Sequence, residues 1–266
     1  LSAIQHLSQI ASFYHCDSMH FFATAVLRHI TNCNQVIEKV YETLGVRIEV
    51  LSGAAEAMLS FSGLQFTFGR HLRSGIMVDM GGGSTEFLCF ENGKPKFSAS
   101  LPFGSLSLYR DFVSGSVPTV REMVMIGNYV RAMLDSELSE VRHCNATLYA
   151  IGGTARTLCK LSKIMAPMSN FRGKTTSTLT VTPTQICTLY RMIEHPDDML
   201  LFLQTAVPDR LKTISPGIIA YHTILEYIDV PKIVVSTGGI REGYLKTRVL
   251  PDTMRKGKHD NKKRSR

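Results

Sequence analysis

The 266-residue sequence has no apolar run that approaches the roughly 20 residues of a membrane-spanning helix. No basic segment followed by a short apolar run opens it, so the sequence predicts neither a membrane anchor nor a secretion signal. None of the six cysteines forms a C-x-x-C pair, and their scatter through apolar segments predicts reduced thiols in a cytoplasmic protein.

The net charge of +8 suggests a nucleic-acid-binding protein until its position in the chain is considered. Residues 255–266 hold seven Lys and Arg side chains against one Asp, so most of the charge belongs to this tail. Almost no apolar residue interrupts it, which predicts a disordered segment, either a solvated terminus or an electrostatic site for polyanions. The sequence therefore predicts no specific nucleic-acid partner.

Three consecutive glycines, Gly81, Gly82 and Gly83, lie between two apolar segments. The pattern predicts a strand, a tight turn and a second strand, with glycines at positive φ that allow a ligand to come close. N–H groups that face one concavity can bind an anion, and Ser84 and Thr85 add hydroxyl donors. A plain glycine-rich hairpin is the structural alternative.

Two acids flank this glycine turn, Asp79 before it and Glu86 after it. Carboxylates in these positions can hold a divalent cation or orient a water molecule. Together with the hydroxyl residues they favour a phosphate site over the plain hairpin. Strand ends near residues 152 and 238 also carry paired glycines, and strands that alternate with helices predict an α/β sheet with its ligands at these ends.

Local signals predict several helix boundaries. Asn34 is expected to cap a helix that Gly45 ends, and apolar spacing predicts a helix over residues 120–141. A further helix is expected to begin at Ser215. Glu56 lies in the first turn of a predicted helix over residues 54–61, where an acid either suits the helix dipole or acts as a general base; spacing alone does not choose.

Five segments, in order along the chain, resemble the exopolyphosphatase / guanosine pentaphosphate phosphatase family of the actin-like ATPase superfamily. The turn at residues 79–86 is similar to the family's D-I-G-G-G-S-T-E and is the most specific of them. The other four are residues 23–32, similar to A-T-S-A-V-R-D-A-x-N, residues 51–57, similar to I-S-G-x-E-E-A, residues 151–154 with the G-G-T element, and residues 236–243, similar to S-x-x-G-L-R-E-G.

The resemblance implies an α/β protein with the actin-like ATPase (ribonuclease-H-like) fold, in two domains with a cleft between them. It also implies a Mg²⁺-dependent phosphoanhydride hydrolase that releases terminal phosphate from inorganic polyphosphate or from guanosine pentaphosphate, and a possible homodimer. The residues carried over are Glu56 as the activator of water, Asp79 and Glu86 as ligands of metal or water, and, for phosphate, Arg28, Gly81, Gly82, Gly83, Ser84 and Thr85. Phosphoryl transfer needs mainly this positioning and charge compensation.

The sequence also departs from the family pattern. Ala55, Met58 and His29 replace an acid, an arginine and an aspartate of the family. No counterpart of the family's first phosphate loop, D-x-G-S-N-S, precedes Leu1. We therefore expect a truncated first domain over residues 1–70, a second domain over residues 71–250 and a disordered basic tail over residues 251–266.

Two alternatives remain open at this stage. A catalytically impaired protein of the same fold would bind polyphosphate or a nucleotide without turnover, as the missing loop, Ala55 and Met58 suggest. An ATPase or sugar-kinase relative is the other alternative, although the Ser-Thr-Glu end of the turn and the Arg-Glu-Gly element argue against it. The sequence does not choose between polyphosphate and guanosine pentaphosphate.

Overall fold

The computed structural model describes residues 1–139, 146–165 and 179–250. Contacts divide the chain into two compact units, Leu1–Glu56 and Ala57–Arg266. Helix α4 (Gly53–Phe68) contributes its first turn to the first unit and the rest of its length to the second. The domain boundary at residue 70 stays a prediction, and the basic tail lies outside the described residues.

The first unit is a small α/β arrangement. Its elements are α1 (Ser2–Phe13), β1 (Phe21–Ala23), α2 (Ala25–His29), α3 (Cys33–Leu44) and β2 (Ile48–Val50). Strands β1 and β2 pair in parallel, with Phe21 opposite Ile48. Parallel strands need a long crossover, and α2 and α3 supply it.

The helix boundaries of α3 agree with the sequence at one end only. Gly45 ends the helix in the left-handed region with φ of 66°, as predicted. The N-cap position belongs to Asn32, whose side chain makes no capping hydrogen bond, and Asn34 lies inside the first turn. The predicted Asn34 cap is wrong because the helix begins with Cys33, one residue before it.

The second unit is built on a six-stranded mixed sheet with helices on both faces. Its strands are β3 (Gly75–Met80), β4 (Thr85–Glu91), β5 (Lys94–Leu101), β6 (Leu148–Ile151), β7 (Leu179–Val181) and β8 (Ile233–Val235). Its helices after α4 are α5 (Ser105–Phe112), α6 (Val120–Glu137), α7 (Gly152–Met165), α8 (Pro183–Ile193), α9 (Pro196–Ala206), α10 (Leu211–Tyr227) and α11 (Ile240–Tyr244).

The strand order of this sheet is β5-β4-β3-β6-β8-β7. Strands β3, β4 and β5 form an antiparallel meander because short turns join them, and the second turn places Asn92 and Gly93 at φ of 51° and 69°. Strand β6 runs parallel to β3 and β8 parallel to β6, since helices provide the crossovers. Strand β7 closes the other edge antiparallel to β8.

Both faces of the sheet are covered, and the alternation of side chains along the strands decides which residue faces which layer. Val78 and Phe87 belong to the larger core, to which α6, α7 and α10 also contribute. Met77 and Leu88 point to the opposite face, where they pack with Phe61 of α4. The long apolar segments on either side of the glycine turn are therefore buried on both sides.

Two predicted helix limits need correction. Helix α10 begins at Leu211, and Pro216 lies inside it, so the predicted start at Ser215 is wrong. Proline costs a helix one backbone hydrogen bond, but the fully buried Ile214, Ile218 and Tyr221 keep one continuous face against the core. Helix α6 begins at Val120 as predicted and ends at Glu137; the predicted end at residue 141 lies outside the described residues.

No helix within residues 1–139, 146–165 and 179–250 is both long enough and apolar enough to cross a membrane. The five cysteines in these ranges, Cys16, Cys33, Cys89, Cys159 and Cys187, carry free thiols.

Candidate functional site

The glycine turn connects β3 to β4, but its glycines do not have the backbone conformation that the sequence suggested. Among the described glycines, positive φ occurs at Gly45, Gly69, Gly93 and Gly152, and at none of Gly81, Gly82 and Gly83. The expectation of positive φ in the turn is therefore wrong. Gly81 and Gly82 are exposed, so the absence of Cβ leaves their backbone open to a ligand.

The carbonyl groups of the turn point at helix α5 and are held there. Ser105 N–H donates to Gly81 O at 3.0 Å, and the N–H groups of Leu106 and Ser107 donate to Gly82 O at 2.9 Å. These are the first N–H groups of the helix, which have no partner within the helix itself. A Cβ on Gly104 would lie 2.5 Å from Gly82 C, so only glycine permits this approach. Helix α5 thus fixes the turn.

Some N–H groups of the turn donate to acceptors within the protein, and others remain available to a ligand. Gly81 N–H donates to Ser84 O at 3.0 Å, which closes the turn. Within the described chain, the N–H groups of Gly82 and Gly83 donate to no protein acceptor. Two adjacent backbone donors on an open turn are a suitable site for one phosphate oxygen or a pair of them. Of the predicted phosphate-binding residues, Gly82 and Gly83 thus keep N–H groups available to a ligand, and phosphate binding at the turn stays a prediction.

Thr85 has a structural contact that the sequence did not reveal. Its side chain is fully buried, and its hydroxyl donates to Phe103 O at 2.7 Å. A hydroxyl carries one hydrogen, so this bond leaves none for a phosphate oxygen. The predicted donation from the Thr85 hydroxyl is corrected accordingly: it ties the start of β4 to the segment before α5.

Asp79 and Glu86 lie directly opposite each other in the antiparallel pair β3–β4. Residues paired in this way place their side chains on one face of the sheet. Ser60 of α4 donates to Asp79 Oδ2 at 2.6 Å, and Ser100 of β5 donates to Glu86 Oε1 at 3.0 Å. Each carboxylate is therefore oriented by a hydroxyl while the two remain neighbours.

The start of helix α7 lies against Asp79. Gly152 has φ of +97°, and a Cβ there would lie 2.9 Å from Met80 O and 3.1 Å from Asp79 Oδ1. The carboxylate is thus close to the positive end of the helix dipole. Burial raises the pKa of Tyr221, and the negative charge of Asp79 raises it further. Asp79 therefore acts electrostatically on both the helix and the core beside it.

Arg210 belongs to this site and was missed by sequence reasoning. A Cβ on Gly153 would lie 2.6 Å from Arg210 Nη2, so the guanidinium lies against the first turn of α7. Its side chain remains 42% exposed, and its contact with Asp209 is a long one of 4.0 Å. A cation beside the N–H groups of a helix N-terminus attracts a phosphate. The paired glycines signalled a close approach, but not the residue that makes it.

We expect Arg210→Gln to lower kcat/KM for a phosphate substrate by about 10- to 100-fold, because a charge-assisted hydrogen bond contributes roughly 1.5–3 kcal/mol. Arg210→Lys keeps the charge without the planar fork and should recover part of the loss. Steady-state kinetics of both variants measure this. The exposed Arg121 on α6 offers a matched control as Arg121→Gln, and equal kinetics for the two glutamine variants would contradict a substrate contact by Arg210.

In the first unit, Arg28 and Glu56 form an ion pair. Arg28 Nη1 donates to Glu56 Oε2 and to Leu51 O, both at 2.9 Å, and the side chains are 17% and 11% exposed. Burial raises the pKa of Glu56, while hydrogen bonds from Arg28 and Thr24 oppose the rise. The carboxylate is thus more basic than usual and is held in one orientation. The phosphate contact of Arg28 stays a prediction.

The third pair of glycines serves packing. Gly238 and Gly239 follow β8, and a Cβ on Gly239 would lie 2.8 Å from the side chain of Ile151. A Cβ on Gly238 would clash with Thr67 of α4, and one on Gly63 would clash with the backbone of Gly239. The expectation that all three glycine-bearing strand ends bind ligand is therefore not supported at residue 238, where α4 and the end of β6 occupy the space.

The donor set fits a magnesium ion shared with a phosphate. Among residues 1–139, 146–165 and 179–250, no three His, Cys, Asp or Glu side chains gather into a metal site. Magnesium commonly uses one or two carboxylates and completes its shell with water and substrate phosphate oxygens. The cross-strand pair of Asp79 and Glu86 beside the open turn supplies such a set.

Comparison with known proteins identifies relatives along nearly the whole chain. The family model described as "Ppx/GppA phosphatase family" matches residues 1–251. Exopolyphosphatase 1 of Mycobacterium leprae is 26% identical over 254 residues, which cover 92% of this chain and 72% of the relative. A guanosine-5'-triphosphate,3'-diphosphate pyrophosphatase of Aeromonas salmonicida is 24% identical over 230 residues, covering 86% of this chain and 44% of the relative.

Solved structures support the fold. An exopolyphosphatase from Cytophaga hutchinsonii superimposes with a TM-score of 0.77 at 20% identity, covering 92% of this chain and 80% of the other. A Ppx/GppA family member from Aquifex aeolicus gives a TM-score of 0.73 at 23% identity, covering 94% and 80%. The predicted α/β fold of this family is thereby confirmed.

Proposed function

Because the chain belongs to the Ppx/GppA phosphatase family, we propose that this enzyme hydrolyses a terminal phosphoanhydride bond and releases orthophosphate. The observation that carries the proposal is the open turn in which Gly82 and Gly83 present free N–H groups between two oriented carboxylates. Backbone donors, a nearby cation and paired carboxylates are what phosphoryl transfer requires of a protein.

The terminal phosphate is proposed to bind at the glycine turn. The N–H groups of Gly82 and Gly83 and the Ser84 hydroxyl donate to its oxygens, and Arg210 compensates the negative charge from the start of α7. The turn is held by α5 before any ligand arrives, so little ordering free energy is spent on binding. Arg28 is proposed to add a second positive charge while it orients Glu56.

Glu56 is proposed to accept a proton from the attacking water. Its carboxylate is mostly buried, and the raised pKa makes it a stronger base than an exposed glutamate. The ion pair with Arg28 limits its rotation, so one oxygen is presented in a constant direction. The water oxygen then attacks phosphorus as the bond to the bridging oxygen breaks.

Asp79 and Glu86 are proposed to hold Mg²⁺. When bound, this ion would supply positive charge to the phosphate oxygens as the bridging bond breaks. The hydroxyls of Ser60 and Ser100 keep the two carboxylates in place for it. The serine contacts are therefore part of the proposed site, although neither serine touches the ion.

The substrate is proposed to be inorganic polyphosphate or guanosine pentaphosphate. Relatives named exopolyphosphatase and guanosine-5'-triphosphate,3'-diphosphate pyrophosphatase support both, and both substrates present a terminal phosphoanhydride. The residues proposed here would contact only the terminal phosphate, which both substrates present. A cytoplasmic location and a homodimer remain proposals that follow from the family resemblance.

The proposed function predicts Mg²⁺-dependent release of orthophosphate from long-chain polyphosphate, from guanosine pentaphosphate, or from both. We expect EDTA to abolish release and Asp79→Asn to reduce it by about 100-fold or more, since Asn is a poor ligand for Mg²⁺. A colorimetric phosphate assay with each substrate measures it. The exposed Asp111 provides the control variant Asp111→Asn, which should behave like the unmodified chain.

If the chain binds both substrates and releases phosphate from neither, the hydrolase proposal is wrong and the binding-protein alternative replaces it. The exposed Met58, in the position where the family carries an arginine, is a sequence feature that already favours this alternative. Release from ATP alone would point to the ATPase alternative.

A further inference from the structure

We propose that the second unit carries a second anion site, a basic groove that binds a linear phosphate chain. The groove has a volume of about 600 Å³ and is formed by Gln65, Arg70, Arg73, Asn92, Gly93 and Lys246. It lies at the opposite end of β3 from the glycine turn, because Arg73 precedes the strand and Gly81 follows it. A six-residue strand spans about 20 Å, so the two sites are separate.

Three positive side chains meet in the groove from different parts of the chain. Arg70 belongs to the 3₁₀ turn after α4, Arg73 to the loop before β3, and Lys246 to the π-helical turn Leu245–Val249 after α11. Within the described chain, no acidic residue lines the groove and none of these three cations forms an ion pair. Glu91, at the end of β4, pairs with Lys96 at 3.7 Å instead.

Like charges that line one groove repel each other, and an anion bound between them would relieve that repulsion. Surface cations are usually interspersed with acids, whereas none of the described residues that line this groove is acidic. The arrangement therefore has the electrostatics of an anion site rather than those of an ordinary solvated face.

The wall of the groove is held by hydrogen bonds. Gly93 N–H donates to Arg73 O at 2.7 Å, and Gln65 Nε2 donates to Gly93 O at 2.9 Å. Asn92 N–H reaches Ser74 Oγ at 3.4 Å. The β4–β5 turn, the end of α4 and the loop before β3 are thus joined in one wall. A preformed wall lowers the entropy cost of binding, which favours ligand binding over transient charge attraction.

The chemistry of the lining selects a phosphate chain. Guanidinium groups pair with phosphate oxygens through two hydrogen bonds, and two arginines can grip neighbouring phosphates. Among the described residues that line the groove, Leu72 has the only apolar side chain and is 4% exposed, and none has an aromatic ring that could stack on a base. The groove thus offers a nucleotide base no aromatic ring to stack on, whereas its cations can bind the oxygens of inorganic phosphates. This inference goes beyond the proposed function and does not depend on turnover.

The test is isothermal titration calorimetry of the full chain with sodium tripolyphosphate, without divalent metal. The test variant is Arg70→Gln with Arg73→Gln, and the matched control is Arg121→Gln with Lys163→Gln, two exposed cations on helices that cover the other face of the sheet. In the test variant, we expect the affinity of the groove for tripolyphosphate to fall by about 100-fold, so that one binding step disappears from the titration. The control variant should show the same steps as the unmodified chain. Circular dichroism checks that both variants fold.

The number of steps separates this inference from the proposed function. If the glycine turn also binds phosphate, the unmodified chain shows two steps and the test variant one; if the turn does not bind, the chain shows one and the variant none. A test variant that keeps every step overturns the groove, as does an equal loss in the control, which would indicate net charge alone. If a 12-nucleotide RNA displaces tripolyphosphate from the groove with the same affinity, the choice of a phosphate chain as the ligand is overturned.

Discussion

Glu56→Gln is expected to lower the rate of phosphate release by about 10²- to 10⁴-fold, the range over which a positioned general base contributes. Glutamine keeps the size of the side chain and a carbonyl oxygen that can accept the hydrogen bond from Arg28 Nη1, but it cannot take a proton from water. Single-turnover release of phosphate from polyphosphate and from guanosine pentaphosphate measures the effect. Binding of either substrate should change little.

The exposed Glu38 on α3 supplies the control, Glu38→Gln, which should leave turnover unchanged. The pH dependence provides a second check. Burial raises the pKa of Glu56 above its ordinary 4.5, and only the deprotonated form is a base, so turnover should fall as the pH drops through a value above 4.5. A Glu56→Gln variant with normal turnover would remove Glu56 from the mechanism.

Gly152→Ala is expected to destabilise the protein by about 2–5 kcal/mol, which combines left-handed backbone strain with overpacking. The φ of +97° disfavours any side chain, and the new Cβ would lie 2.9 Å from Met80 O and 3.1 Å from Asp79 Oδ1. Thermal unfolding measures the loss. In a unit of this size, it corresponds to a fall in Tm of about 5–15 °C. Because the Cβ pushes on Asp79, Mg²⁺-dependent turnover should fall as well.

A comparison with Gly69→Ala separates the two causes. Gly69 has φ of +54°, and nothing lies within 4 Å of its Cβ position, so that variant carries the strain without the collision. We expect it to cost only about 1–2 kcal/mol and to leave turnover unchanged. Equal stabilities for the two alanine variants would show that Asp79 and the β3 carbonyl do not confine Gly152.

The glycine turn itself was predictable because its signals are adjacent in the chain. Apolar runs on both sides of three glycines predicted β3 and β4, and the two acids that flank the turn in the sequence lie opposite each other in the antiparallel register. The strand end predicted near residue 152 also agrees with β6, which ends at Ile151. In these segments local pattern and tertiary packing favour the same conformation.

The conformation of individual glycines was not predictable in this way. Positive φ occurs at Gly152 and not in the triple glycine, because the path of the backbone at α7 depends on the strand beside it. Gly238 and Gly239 look like the other glycine pairs in sequence but pack against α4. A glycine indicates that another group comes close to the backbone or that φ is unusual, and the sequence does not show which group comes close.

The sequence by itself determined the strand, turn and strand and the carboxylates that flank the turn, because these are written in contiguous residues. It also determined the family, because five short segments match the family pattern in order along the chain. Only the tertiary structure decided that Arg210 lies against Gly153, that the Thr85 hydroxyl is consumed by Phe103, and that three distant cations share one groove. Those contacts join residues far apart in the chain. They depend on how helices and strands pack around a common core, which local propensity does not specify.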